Sequence, residues 1–226
     1  MIKSILEYAV YKIKGRKIKL DNAVRNSDLF SLLVKNLISL LRGFLRLNGF
    51  ILIGQSVKLR SKYNMNIGKG VSIGDYCTLE ALGTRGLEIG AGSSIGAFSI
   101  LKVSGTLTSI GKGIDIGNNV GVGDFAHIGG AGGVTIGDNT IAGAYLSIHP
   151  ENHKFSNISL LIREQGVSRQ GITIGSNCWI GAKVTVLDGS AVGNGCVIAA
   201  GSVVRGCFPD NVVIGGVPAR IIKSIQ

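Results

Sequence analysis

The sequence predicts an all-β solenoid built from six-residue units, and three observations predict it. Ile174, Ile180, Val186, Val192, Ile198 and Val204 recur every six residues without a slip. Gly or Ala follows four of the first five, and the fifth place of each hexad is small or branched: Cys178, Val184, Ser190, Cys196 and Ser202. The composition is rich in glycine (35 of 226 residues) and poor in proline (3) and aromatics (6%), which speaks against a large aromatic-centred core. A period of six fits neither the three- and four-residue spacing of an amphipathic helix nor the alternation of a half-buried strand. It fits short strands joined by tight turns, each unit burying its aliphatic residue only by stacking on the next coil. The β-branched residues suit strands, and the glycines suit turns that need positive φ.

In chain order, residues 1–53 read as a basic, amphipathic helical segment. Residues 1–20 begin as an amphipathic helix and turn basic. Glu7 and Lys12 interrupt the apolar run and no small-residue cleavage site follows, so this is not a signal peptide. Asn26-Ser27-Asp28 is expected to cap a second helix, with Gly49 as its stop. Lys35, Arg42 and Arg46 interrupt its leucines, so the helix is expected to lie against something rather than cross a bilayer. Two supports fit: the first coils or a neighbouring subunit, and an anionic membrane surface touched by residues 1–50.

Residues 54–226 read as the solenoid domain. Ile67, Ile73 and Leu79 are in phase, and ALGTRG inserts extra residues before Ile89 and Ile95. After the irregular LKVSGTLTS, Ile110, Ile116, Val122 and Ile128 form the next run. GGAGGV resets the phase, and Ile136, Ala142 and Ile148 complete it. The loop at residues 149–171 contains no hexad. A loop of that length in a repeat protein is usually functional, and solenoid insertions tend to fall on the binding face. The tail, residues 207–226, holds two of the three prolines and ends basic.

Charge and cysteine narrow the function. Mean hydropathy is positive (+0.37), yet no stretch offers the ~20 uninterrupted apolar residues of a spanning helix. The net charge is +11, and residues 1–62 hold 13 lysines and arginines against 3 acids. Anionic small molecules or lipids suit such a surface. No aromatic-interleaved basic groove or nucleic-acid motif accompanies it, so nucleic acid is not an expected partner. Cys77, Cys178 and Cys196 occupy the small fifth place of their hexads, as buried core residues of a reducing cytosol would.

The chain has three histidines: His127, His149 and His153. Two lie in the first five residues of the long loop. A neutral imidazole near pH 7 is the side chain best suited to take a proton from a hydroxyl. Within HPENH, Glu151 and Asn152 are candidates to orient a ring. His127 falls on the outward sixth place of its hexad, beside Asp124 at the third, facing either a subunit contact or the site.

These residues resemble the hexapeptide-repeat acyltransferases, the left-handed parallel β-helix family, and especially the branch that O-acetylates sugars in bacterial surface-polysaccharide synthesis. The resemblance covers roughly residues 55–226. It rests on the hexads, on HPENHKF followed by REQG, on GITIGSNCWIGAKVTVLDGSAVGNGCVIAAGSVV, and on VIGGVPARII. It implies a cytoplasmic homotrimer with each active site between two neighbours, residues 1–50 being available to hold it at the inner face of the plasma membrane. It implies acetyl-CoA as co-substrate, no metal, and a hydroxyl of a sugar, sugar nucleotide or lipid-linked glycan as acceptor. A loop histidine would be the general base. The Asn-His pair of one branch matches His153 and the His-Pro pair of another matches His149. Asp124, His127, Asn152 and Trp179 would face the acceptor. Trp179 would have a core or stacking role, and Ala182 and Ala200 would leave room for the pantetheine arm. Arg220, Arg205 and Lys223 would pair with CoA phosphates. Where many relatives have Thr-Lys after the GSVV element this chain has Arg205-Gly206, which shifts that contact to Arg205.

Other functions share the fold. N-acetylation of an amino sugar is the closest. A γ-type carbonic anhydrase, which binds zinc through three histidines, is permitted by the count and disfavoured by the spacing. A non-catalytic scaffold is disfavoured by the loop histidines, the WIG element and the basic tail.

Overall fold

Three hexads make one coil. Ile180 pairs with Ile198, eighteen residues on, across adjacent parallel strands. In the computed structural model, which describes residues 2–14 and 17–226, the chain winds as a left-handed parallel β-helix with three flat faces. The first face has nine strands, from Leu52–Ile53 to Ala219–Ser224, and the second and third have seven each. Met1, Gly15 and Arg16, the last in the basic run, lie outside the described residues.

The aliphatic residues of each face stack inside the prism. On the second face Leu79, Leu101, Ile128, Ile148, Val186 and Val204 stand in register, all fully buried. Two sequence expectations change here. Ile110 is not a wall residue: it is 47% exposed, in the loop before strand Gly111–Ile116. Leu101, in the stretch read as irregular, takes a wall position on strand Ile100–Lys102. Leu101 keeps the count of six from Ile89 and Ile95, and it is the insertion after it that ends the run and made the stretch look irregular.

The glycines also divide into two roles. Those that follow a wall residue serve close approach: a Cβ on Gly96 would collide with the Asp124 amide nitrogen on the next coil. The left-handed turn positions hold Asn119, Asn139 and Asn177 at one corner and Tyr76, Phe98, Phe125 and Tyr145 at another, as well as some glycines. Asparagine tolerates this region because its short side chain bonds locally. The four rings stack on one another at 5.0–5.1 Å.

The buried cysteines behave as small polar wall residues. Cys77, Cys178 and Cys196 each donate Sγ–H to a carbonyl of the next coil, those of Gly96, Gly193 and Pro209. Ser93 and Thr140 do the same toward Gly117 and Gly175. Burial pushes the Cys77 and Cys178 thiols up.

Helix α1 spans Ile2–Lys14 and α2 spans Asn26–Leu47. The expected cap is displaced: Arg25 holds the cap position with no side-chain bond, and Asn26, Ser27 and Asp28 lie in the first turn. Asp28 there still suits the positive end of the helix dipole. The stop falls at left-handed Asn48, whose N–H donates to Phe44 O, one residue before Gly49. Helix α2 packs on both α1 and the first coil, with Leu29, Ser39 and Gly43 buried and Leu47 against the solenoid core. A Cβ on Gly43 would collide with Ile51 O, so the backbones meet where no side chain fits.

Candidate active site

The second face builds the site from strand alternation. In His127–Gly129 and Ser147–His149, Ile128 and Ile148 point inward, so His127, Ser147 and His149 point outward. The two imidazoles stack across adjacent coils with centroids 5.4 Å apart and planes 22° from parallel. Ser147 Oγ lies 2.8 Å from His149 Nε2. Pro150 then ends the strand, and the chain leaves the prism.

The long loop returns His153 to the same place. Asn152–His153 pairs antiparallel with Val167–Ser168, closed by Lys154 N–H donating to Gly166 O. Two anchors hold this stem. Buried Asp188 accepts the Gln170 and Gly171 amides at 2.8–3.0 Å. Arg169 Nε meets Glu151 Oε2 at 2.6 Å, and Arg169 also donates to Ser109 Oγ. Glu151 is held in the stem through Oε2 by Arg169, and it lines the cleft of the three histidines without a hydrogen bond to a ring among those described. Beyond the stem, Gln165 gathers the loop through Asn157 and Leu160.

All three histidines line one cleft of about 300 Å³, with Lys102 at its edge. His153 also lines a second cleft of about 460 Å³ with Asn152, Lys154, Asp188 and Arg205. His153 is thus the histidine common to both. Partial burial, then the neighbouring His149, then Lys102 press the His127 imidazole below its ordinary value of 6.5. The neutral form of His127 is thereby favoured, and the ring should titrate below the usual range in an NMR pH series. His149→Gln should move that midpoint upward, because the like charge is removed while burial stays. An unchanged midpoint would show that the stacked ring exerts no such pressure.

The remaining candidates lie elsewhere. Asp124 is not in either cleft: its carboxylate accepts the Ala97 amide at 2.7 Å in a turn, as Asp75 and Asp138 do for Gln55 and Asn118. Trp179 is outward on the first face and 57% exposed, so the core role is corrected. Ala182 and Ala200 are exposed at the corner between the first and second faces. Arg220 and Lys223 lie on the closing antiparallel strand, where Arg220 Nη1 donates to Ala219 O. Within one chain, then, Trp179, Ala182 and Ala200 line neither histidine cleft: Trp179 is on the first face and the two alanines are at its corner with the second. Ser147, Asp188, Arg169 and Lys102 were not singled out by sequence. Ser147 had a signal, since it stands two residues before His149 and so shares its face. Among the described residues no three His, Cys, Asp or Glu side chains are placed to hold a metal ion.

Fold and cleft together define a hexapeptide-repeat β-helix with a loop-borne histidine site. Residues 171–206 match the family described as bacterial transferase hexapeptide (six repeats). It is 39% identical over 126 residues to the putative lipopolysaccharide biosynthesis O-acetyl transferase WbbJ of Escherichia coli, covering 52% of this chain and 64% of that protein. Galactoside O-acetyltransferase of E. coli is 39% identical over 98 residues, covering 41% and 45%. The matches therefore span less than two thirds of these relatives. Among solved structures, a mutant of AntD, an N-acyltransferase from Bacillus cereus, in complex with dTDP-4-amino-4,6-dideoxyglucose and coenzyme A, superposes with a TM-score of 0.56. At 20% identity, over 82% of this chain and 89% of that one, the likeness is one of fold.

Proposed function

We propose that this protein is an acetyl-CoA-dependent O-acetyltransferase whose acceptor is a hydroxyl of a sugar, sugar nucleotide or lipid-linked glycan. The observation that carries this reading is the meeting of His127, His149 and His153 in one cleft, with His153 shared by a second cleft that holds Lys154 and Arg205. A base between two clefts can face an acceptor on one side and a donor on the other. The names of the O-acetyl relatives support the oxygen acceptor.

In the proposed reaction His153 takes the hydroxyl proton as the oxygen attacks the thioester carbonyl. The C–O bond forms, the C–S bond breaks, and the CoA thiolate leaves with the proton from the imidazolium. Catalysis then rests on orientation and one proton transfer, with no covalent enzyme intermediate. Arg205 and Lys154 are suited to the phosphates of the donor. His149 is a second candidate for the base, favoured by one observation: its ring is held by Ser147, as an oriented base requires.

Trp179, Ala182 and Ala200, with Arg220 and Lys223, are proposed to serve the donor from a neighbouring copy in a homotrimer, because they line neither histidine cleft of their own chain. The test is thiol release from acetyl-CoA with a panel of sugars and sugar nucleotides. Acceptor-dependent release supports the reading. A wild-type protein that does not bind acetyl-CoA refutes it, and acetylation only of amino sugars replaces it by N-acyl transfer.

A further inference from the structure

Helix α2 carries apolar residues on its inner side, Leu29, Leu33, Leu40 and Leu47, and a second apolar arc that faces outward. Its buried stripe is Leu29, Ser39 and Gly43, two of them small and one polar. At 100° per residue, Phe30, Val34, Leu37, Ile38, Leu41, Phe44 and Leu45 fall within an arc of about 120° on the opposite side. All seven are exposed, Leu45 by 77%. Phe50 extends the patch, edge-on to Phe44 at 6.1 Å, and forms an apolar hollow with Leu37, Leu40, Leu41 and Phe44. On α1, Ile5, Tyr8 and Tyr11 are exposed too.

The rim is cationic. Arg42 and Arg46 follow the apolar arc along one flank, and Lys62 caps the helix end by donating to Arg46 O. Lys69 stands 5.7 Å over the Phe50 ring on the other side, and Lys12 stands over Tyr8. Asp28 is the only acid on α2. Lys35 is the exception among the cations, since Asp75 takes it at 3.1 Å and so ties the helix to the coil. No helix among the described residues is long and apolar enough to cross a membrane.

We propose that α2 docks this protein on an anionic lipid bilayer, its apolar arc in the headgroup boundary and its basic rim on the lipid phosphates. A wide apolar face edged by arginine and lysine, with aromatic rings at its border, is what an interfacial helix requires. A protein partner would need acids facing Arg42 and Arg46 as well as an apolar groove, whereas one anionic leaflet supplies both. The helix is anchored by Gly43 and Lys35 at its back, so the face is presented by a rigid mount.

The test is flotation of the full chain with phosphatidylcholine vesicles, with and without phosphatidylglycerol. Binding is expected only with the anionic lipid and should weaken with salt. Arg42→Gln and Arg46→Gln should each lower the partition constant about fivefold. Leu41→Glu/Leu45→Glu should abolish flotation while thermal unfolding of the coil is unchanged. Absence of flotation on anionic vesicles overturns the proposal. So does a drop in oligomer mass for Leu41→Glu/Leu45→Glu at unchanged vesicle binding, which would make the face a contact between copies.

Discussion

His153→Ala is expected to lower acetyl transfer by about 10²–10⁴, the worth of a positioned general base, while acetyl-CoA binding stays within a small factor. The variant removes an exposed ring with no packing duty, so the coil should unfold at an unchanged temperature. His149→Ala separates the two candidates. If His153 is the base, losing His149 removes a stacked neighbour of His127 and costs much less than losing His153. Should His149→Ala be the more damaging change, with the pH–rate profile losing its acid limb, the base is His149, held by Ser147. Ser147→Ala would then also reduce turnover. Single-turnover rates of the three variants decide this, because kcat in steady state can report product release.

The second large effect is on stability and concerns two positions whose places the sequence reading exchanged. Leu101→Ala is expected to destabilise the coil by about 2–5 kcal/mol, the usual cost of emptying a fully buried leucine site. Leu101 is 0% exposed and is sandwiched in register between Leu79 and Ile128, so neither neighbouring coil can collapse into the gap without breaking its own ladder. Ile110→Ala should stay within about 0.5 kcal/mol, as for other surface positions. Denaturant midpoints at constant m would register both. Equal losses at the two positions would contradict the wall described for the second face.

That pair shows how far sequence carried the fold. The hexads at 174–204 were legible because the prism interior takes an aliphatic residue at the first place of every hexad, and there the chain has no insertion. Around 80–111 the insertions break the runs: Ile110 stands six before Ile116 yet belongs to the insertion, while Leu101, six after Ile95, was passed over because the run stops there. Helix ends were read one position off at each side. Arg25 stands where a polar cap was expected, and Asn48 tolerates the left-handed turn assigned to Gly49.

The site was legible through its interruption: two of three histidines stand where the repeat stops. What sequence could not show was that His127 stacks on His149. That contact depends on how many residues the insertion at 130–133 adds to the coil, and so on register. Glu151 was noticed because it sits between two histidines, but its partner Arg169, eighteen residues later, closes on it only when the stem pairs. Asp188 was invisible for a similar reason, since its two amide partners belong to the returning strand. The outward apolar face of α2 was also hidden: periodicity marks an amphipathic helix, and only the close contact at Gly43 shows which side meets the coil.

The central claim is that one active site joins the histidine cleft of one copy to the Trp179–Ala182–Ala200 corner of the next. Co-expression of His153→Ala with Ala182→Trp tests it most directly. Each variant alone should be inactive, one lacking the base and the other with the donor's path blocked. In a cyclic trimer every mixed assembly contains one interface with an intact histidine cleft facing an intact corner. Random mixing should therefore restore roughly a quarter of wild-type activity. Activity that stays at the level of the single variants, with mixed oligomers present, would contradict a site shared between copies.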